Sequence, residues 1–378
     1  MLQGLMKKRF KIMIERLRKN CSHAERGFLS FWRGFGEGAG LKDPVTEPKR
    51  SQNSKRPLLL SPQPLGYSFS ENALRHRFTA IFTAIWLVFL TGCVSSQNRV
   101  LIKQENVRVG DSIIHVNCDA NVVLPTPVVI NWVNRAAIAV TGYLGRFPVT
   151  DLQLNIYGDG DEAIGEGVTY GNRRIDVRLG NNVEVSDLND DWILTHEMFH
   201  LAFPTLPRRY SWMMEGLSDY LEPVARARAG QLTVQAVWKE FVEGLPEGLP
   251  ADGDQGLDNT FTRERIYWGG DLYWLLADVQ IRVKTGNRHN VDDVIRTILN
   301  QGGDGGTDWS LEQVLKRGDE ITGTSVLTDL HNELGPKPGM TDLNELWKKL
   351  GVKDTDGVIY FDDTAPWAFA RKAITADN

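Results

Sequence analysis

From residue 99 to 125 apolar and polar positions alternate, as in Ile113-Ile-His-Val116. That is the two-residue period of strands with one buried face. Residues 127–144 change to apolar positions three and four apart and stop at Gly145, which predicts a helix ended by glycine. The two-residue period returns in Leu152-Gln-Leu-Asn-Ile-Tyr157 and in Arg174-Ile-Asp-Val-Arg-Leu179, with a Gly/Asp loop predicted at 158–167 between them. From Leu188 onward the pattern is mostly helical, with helices expected over 188–203, 211–228, 232–243, 264–285, 290–299 and 309–317. There is no internal repeat and no long low-complexity stretch. The order of elements predicts an α+β fold: a small mixed α/β lobe at 97–186, then a mostly helical lobe at 187–378.

The sequence before this body reads as an address. No charged side chain occurs between Phe78 and Asn98, and the apolar run within it is Ala80-Ile-Phe-Thr-Ala-Ile-Trp-Leu-Val-Phe-Leu90. At about 1.5 Å per residue such a run falls short of a hydrocarbon core of about 30 Å. It fits the apolar centre of a signal peptide, preceded by Arg75, His76 and Arg77. Leu90-Thr-Gly-Cys93 follows, then polar Ser95-Ser-Gln-Asn98. The tetrapeptide resembles a bacterial lipobox, which implies a signal peptide at 75–93 and a lipid on the Cys93 thiol. The other reading is a short anchor helix that is never cleaved. Val94 rather than aspartate after the cysteine favours the outer membrane, so the expected place is the bacterial envelope, lipid-anchored and facing the periplasm. Residues 1–74 hold a basic amphipathic piece (Met6 to Lys19) and a Pro-rich piece (Lys42 to Pro64). They read as a membrane-surface segment, or as a disordered extension from a translation start assigned too far upstream.

Composition separates the two parts. Residues 1–78 carry 16 Lys and Arg against 6 Asp and Glu, and the remainder 27 against 42. The acidic body argues against a nucleic-acid partner. With 42% hydrophobic residues the chain is neither disordered nor a multi-span membrane protein. Three cysteines make no disulfide scaffold, and Cys118 reads as a buried small apolar residue.

The chemistry concentrates at the junction of the two lobes. Asp191-Trp-Ile-Leu-Thr-His196-Glu197-Met-Phe-His200 places His-Glu-x-x-His on a predicted helix. Residues four apart share a face, so His196 and His200 can reach one ion, and neutral imidazoles suit Zn²⁺. Glu197 can act as general base on a water activated there. Ser211-Trp-Met-Met-Glu215-Gly-Leu-Ser-Asp219 follows after a loop with Pro204 and Pro207. A catalytic zinc wants three protein ligands, and Glu215 can be the third. Asp219, one turn on, can accept the free ring N–H of a ligating histidine.

Together these residues resemble the gluzincin zinc metallopeptidases, in particular the aminopeptidase N and glycyl-aminopeptidase branches. Thermolysin-like enzymes share the spacing of Glu215 and Asp219. A further match is Arg265-Ile-Tyr267-Trp-Gly-Gly270-Asp-Leu-Tyr273, similar to the Tyr-x-x-Gly helix start of those aminopeptidases. The resemblance covers roughly 185–300. It implies a thermolysin-like fold with the active-site helix at the lobe junction, zinc as cofactor and a peptide or protein substrate. It also implies that Tyr267 donates a hydrogen bond to the oxyanion, with Tyr273 a nearby competitor. The sequence departs from the family before the first histidine: where the aminopeptidases carry a glutamate that clamps the substrate amine, this chain reads Gly167-Val-Thr-Tyr-Gly-Asn-Arg173. That segment reads as an edge strand able to pair with extended peptide, and Glu166 is the nearest acidic substitute.

The expected function is therefore peptide-bond hydrolysis by a zinc-dependent, membrane-anchored enzyme. The alternative is a non-catalytic lipoprotein of the same fold acting as a binding or scaffold module. Asp159-Gly-Asp161-Glu162 and Asp252-Gly-Asp254 resemble fragments of calcium loops without the full spacing and read as polar turns; His289 and His331 stand alone and read as ordinary surface or core residues; Trp212, Trp268 and Trp274 read as aromatic core, with the lining of a substrate cleft as the other reading.

Overall fold

The computed structural model describes residues 101–160 and 162–376. The extension at 1–74, the signal-like segment, Cys93 and Asp161 lie outside the described residues. The described residues form one compact unit.

Two strands open it, β1 (Leu101–Val109) and β2 (Ser112–Asp119), turning at Gly110, whose φ of +58° suits glycine. Helix α1 (Thr126–Leu144) follows, closed by Gly145 in the left-handed conformation. Then come β3 (Asp151–Gly158), β4 (Ile164–Tyr170) and β5 (Arg174–Leu179). The sheet order is β1-β2-β3-β5-β4. The inner pairs β2–β3 and β3–β5 are parallel, and the outer pairs are antiparallel. Strand β4 therefore lies at an edge.

Alternation decides what each face does. Ile114, Val116, Cys118, Leu152, Leu154, Ile156, Ile175, Val177 and Leu179 are all buried on one face. Trp132, Val133, Ala136 and Val140 of α1 are buried with them. The other face carries a polar ladder, with Asn117 donating to Asn155 and Asn155 to Asp176. Two cross-strand rows of the buried face run out to the edge: Val116–Leu154–Ile175 ends on Thr169, and Cys118–Ile156–Val177 ends on Gly167.

The helical part comprises α2 (Val185–Asn189), α3 (Ile193–His200), α4 (Ser211–Arg228), α5 (Val234–Gly244), α6 (Arg263–Ile266), α7 (Trp268–Thr285), α8 (Val291–Asn300), α9 (Leu311–Thr322), α10 (Val326–Leu334), α11 (Leu343–Leu350) and α12 (Ala368–Thr375). A hairpin, β6 (Val352–Thr355) and β7 (Val358–Phe361), precedes α12. Buried polar groups tie these helices together. Tyr143 of α1 and Arg228 of α4 both reach Asp292 of α8, and Tyr220 of α4 donates to Asp278 of α7, which also holds Arg282. Burial pushes the Tyr143 and Tyr220 hydroxyls well above their ordinary range, so they remain donors.

The fold is the expected mixed α and β architecture, with a sheet first and helices after it. Three local expectations change. The helix expected at 188–203 is two helices, because Asp191 turns its side chain back to accept from Ile193 N and Leu194 N and so starts α3 afresh. The helix expected at 264–285 breaks at Tyr267, whose ψ of −73° departs from helical geometry. The loop expected at 158–167 gives way to β4 from Ile164, where two glycines hide the strand pattern. Among the described residues no helix is long and apolar enough to cross a membrane.

Candidate active site

Helix α3 carries His196, Glu197 and His200. It is held from below by Leu194, Met198 and Phe199, all buried, and Phe199 meets Tyr143 edge-on at 5.6 Å. Its start is fixed by the buried Asp191 carboxylate, which also accepts from Trp132 Nε1 at 2.9 Å. Its end is pinned by the glycine-rich loop after α8, where Gly305 N–H donates to Leu201 O and Thr205 N–H donates to Thr307 O.

Helix α4 crosses against α3 and brings up Glu215. The Nε2 atoms of His196 and His200 are 3.1 Å apart, and Glu215 Oε2 lies 3.3 Å from each. These three are the one group of metal-capable side chains found among the described residues. The outer ring atoms are also held: Asp219 Oδ1 lies 2.8 Å from His196 Nδ1, and Ser218 Oγ lies 3.2 Å from His200 Nδ1. With protons on the Nδ1 atoms, both Nε2 atoms present lone pairs towards each other and towards a carboxylate oxygen. Three acceptors so placed repel unless a cation lies between them. A tetrahedral zinc with ligands at 2.0–2.1 Å needs donor atoms about 3.3 Å apart. The observed separations meet that requirement, and the two-imidazole, one-carboxylate donor set suits zinc.

The electrostatics agree. Burial disfavours a charged His196 ring, but the Asp219 carboxylate beside it, and then Glu215, outweigh it and raise its pKa well above the ordinary value. Burial likewise works against an ionised Glu215, yet the two histidine rings hold its carboxyl far below the usual range. The pocket is built to hold positive charge, and a proton competes with a metal for it.

Tyr267 sits at the break between α6 and α7. Its ring stacks on the His196 ring at 6.2 Å and 24°, and the Arg263 guanidinium carbon lies 5.1 Å from the centroid of the Tyr267 ring. The negative charge of Glu215, then burial, pushes its hydroxyl pKa well up, so it stays a donor. The placement depends on two glycines. A Cβ on Gly216 of α4 would come within 2.1 Å of Gly270 C, and one on Gly270 of α7 within 2.1 Å of Trp212 O. The helices cross backbone to backbone there, which sets Tyr267 over the histidine. Tyr273 points elsewhere: it is buried and donates to Leu327 O.

The structure also brings in residues the sequence pattern did not single out. Thr169 of β4 has its hydroxyl 2.7 Å from Glu197 Oε2, and Ser218 faces His200. Ser218 was within reach of reasoning, being three residues from Glu215 on one helix. Thr169 carried no such signal. Glu166 is exposed and adjacent to Gly167, and neighbouring residues of an extended strand face opposite ways. The other minor candidates are structural. Asp159 pairs with Arg178 and Asp254 with Arg265, while Trp212 and Trp274 are core residues donating to Asp258 and Met213 O. Trp268 is half-buried against Gly244 and Gly248. His331 does not stand alone: its Nε2 lies 3.0 Å from the buried Asp258 carboxylate.

The sheet, the helix at the junction and the helices after it make a fold similar to that of solved aminopeptidase N family structures. No protein-family model matches the sequence, and no curated protein sequence matches it. Solved structures do. An aminopeptidase N family protein from Idiomarina loihiensis aligns with a TM-score of 0.55 at 13% identity, over 70% of this chain and 53% of its own. An M1 zinc metallopeptidase from Deinococcus radiodurans aligns at a TM-score of 0.44 and 13% identity, over 64% of this chain and 53% of its own. A mutant of an M1 zinc metallopeptidase from that organism, bound to a Tyr-Ser-Ala substrate, aligns at 0.44 and 12%, over 64% and 53%. The chain thus spans about half the length of these proteins. At such identity the likeness is one of fold.

Proposed function

We propose that this protein is a zinc-dependent peptidase. The observation that carries the proposal is the convergence of His196 Nε2, His200 Nε2 and Glu215 Oε2 within 3.3 Å of one another, beside Glu197. His196, His200 and Glu215 would hold the ion, with Asp219 and Ser218 fixing the two rings. When bound, zinc supplies a Lewis acid that polarises a carbonyl and acidifies water. Glu197 takes the proton of the attacking water and hands it to the leaving amine. Tyr267 donates to the oxygen on which negative charge develops. Strand β4, the edge strand of the sheet among the described residues and alongside α3, offers backbone groups to an extended peptide.

The lipid anchor on Cys93, and with it a place in the bacterial envelope facing the periplasm, belongs to the same proposal. It is supported by the Leu-Thr-Gly-Cys93 sequence after the short apolar run. The second reading, a binding or scaffold lipoprotein, draws on one observation: Gly167 and Thr169, the β4 residues that meet Glu197, are not acidic, so a substrate amine finds no carboxylate clamp there. A scaffold has no use for Glu197, and this separates the readings.

The test is zinc content by elemental analysis together with cleavage of a peptide library. The wild type is expected to hold about one zinc and His196→Ala none. Glu197→Gln should keep the zinc and lose hydrolysis by about 10²-fold or more. Equal behaviour of Glu197→Gln and wild type in every assay would leave the scaffold.

A further inference from the structure

We propose that Thr169 is a positioning residue for Glu197, so that the strand edge open to a peptide also fixes the general base. The inference rests on the reading of Glu197 given above. Three observations carry it.

The first is the double contact. Thr169 Oγ1 lies 2.7 Å from Glu197 Oε2 and 2.8 Å from Glu197 O. The carbonyl is within its reach because α3 tightens at its end: Leu201 N–H turns to Met198 O. One hydroxyl proton thus has two acceptors. That hydroxyl ties the end of the Glu197 side chain to its own backbone carbonyl, so the carboxylate is held against the helix that carries it.

The second is the slot beside it. A Cβ on Gly167 would lie 2.6 Å from Glu197 Cγ and 3.0 Å from Glu197 Oε1. The Glu197 side chain occupies the place a strand side chain would take, so it is confined on one side by Gly167 and bound on the other by Thr169.

The third is the stiffness of the support. Thr169 pairs with Ile175, at the end of the row Val116–Leu154–Ile175 that crosses the buried face of the sheet. A β-branched side chain on a paired strand has few rotamers, so the hydroxyl is held by the sheet. A long glutamate side chain would otherwise sample several positions. Catalysis by a base depends on holding it within a fraction of an ångström of its working place.

The experiment uses the full chain and two variants. Thr169→Val keeps shape and strand propensity but removes the hydroxyl; Thr169→Ser restores it. Zinc content should stay at the wild-type level in both. On a peptide the wild type cleaves, Thr169→Val is expected to lose about 10- to 100-fold in kcat with KM changed by no more than about twofold. Thr169→Ser should recover kcat to within about threefold of wild type. A Thr169→Val enzyme with wild-type kcat overturns the inference, and so does a serine variant as impaired as the valine one.

A second readout needs no turnover. In protein stripped of metal, Thr169→Val should lower the unfolding midpoint by about 2–4 °C. In a Glu197→Ala background that loss should at least halve. An equal loss in both backgrounds shows that the carboxylate contact is not made and overturns the inference. If the wild type cleaves no peptide at all, the peptidase reading fails, and this cycle alone decides whether Thr169 holds Glu197.

Discussion

His196 and His115 each set a ring nitrogen within 3 Å of an aspartate, and the resemblance ends there. His196 Nδ1 is 2.8 Å from Asp219, with the two side chains 4% and 14% exposed; His115 Nε2 is 2.9 Å from Asp151, with 42% and 71%. The other ring nitrogen makes the larger difference. On His115 it meets Asn106 Oδ1 at 2.8 Å, so the ring is satisfied on both sides. On His196 it faces His200 and Glu215, two further acceptors. A third pair lies between them in burial: His331 and Asp258 are 17% and 5% exposed, and Asp258 also accepts from Trp212 Nε1. The contact distance is nearly constant across the three. What separates the proposed metal site from a core bracket and from a surface ornament is burial and the partner of the second nitrogen.

The sharpest way to break the comparison is to challenge the proposed zinc site with a chelator. Binding to the folded state adds about 4 kcal/mol when the free ion is a thousandfold above its dissociation constant. Chelation should therefore lower the unfolding midpoint by roughly 8–16 °C. Re-addition of zinc should restore it, and His196→Ala should show no response to either treatment. A wild-type midpoint indifferent to chelator and zinc would reduce His196 to a buried histidine of the His331 kind.

Next in size is the aspartate behind the ring. Asp219→Ala removes both the charge and the acceptor facing Nδ1, while Asp219→Asn removes only the charge. Zinc affinity, read by competition with a chelating dye, should fall about 100-fold for alanine and about 10-fold for asparagine. Equal losses would mean that charge alone matters, and that the tautomer is set without Asp219.

His331→Leu tests the middle case. It leaves the buried Asp258 carboxylate with Trp212 as its remaining side-chain donor, which should cost about 1–3 kcal/mol in chemical unfolding. Zinc content and peptide cleavage should stay at wild-type values. A change in zinc content would tie the Asp258 bracket to the metal pocket through Trp212 and α4.

This ordering bears on what the sequence could say. His196, His200, Glu215 and Asp219 lie on two helices, where spacing of three or four residues fixes a face, so their convergence was legible in advance. Tyr267 was legible through resemblance, though the helix break that presents it was not; that break depends on Gly216 and Gly270 meeting across α4 and α7. Thr169 and the His331–Asp258 pair were not legible. Thr169 meets a residue 28 positions away and His331 one 73 positions away, and no local period encodes such distances. Strand β4 was half hidden for another reason: Gly165 and Gly167 erase the alternation, and one of those glycines is what lets Glu197 in.

The smallest expected effect is at His115, and it is the control on which the comparison depends. The ring and its partner Asp151 sit on the polar outer face of the sheet, where water can replace either contact. Exposed polar contacts of this kind contribute about 0–1 kcal/mol. His115→Gln keeps a donor and an acceptor at the same height above the strand. It should change unfolding free energy by no more than about 0.5 kcal/mol and leave zinc affinity untouched. A loss near 2 kcal/mol would mean that the Asn117–Asn155–Asp176 ladder beside it is a cooperative network. Burial would then no longer be the variable that sorts the three histidines.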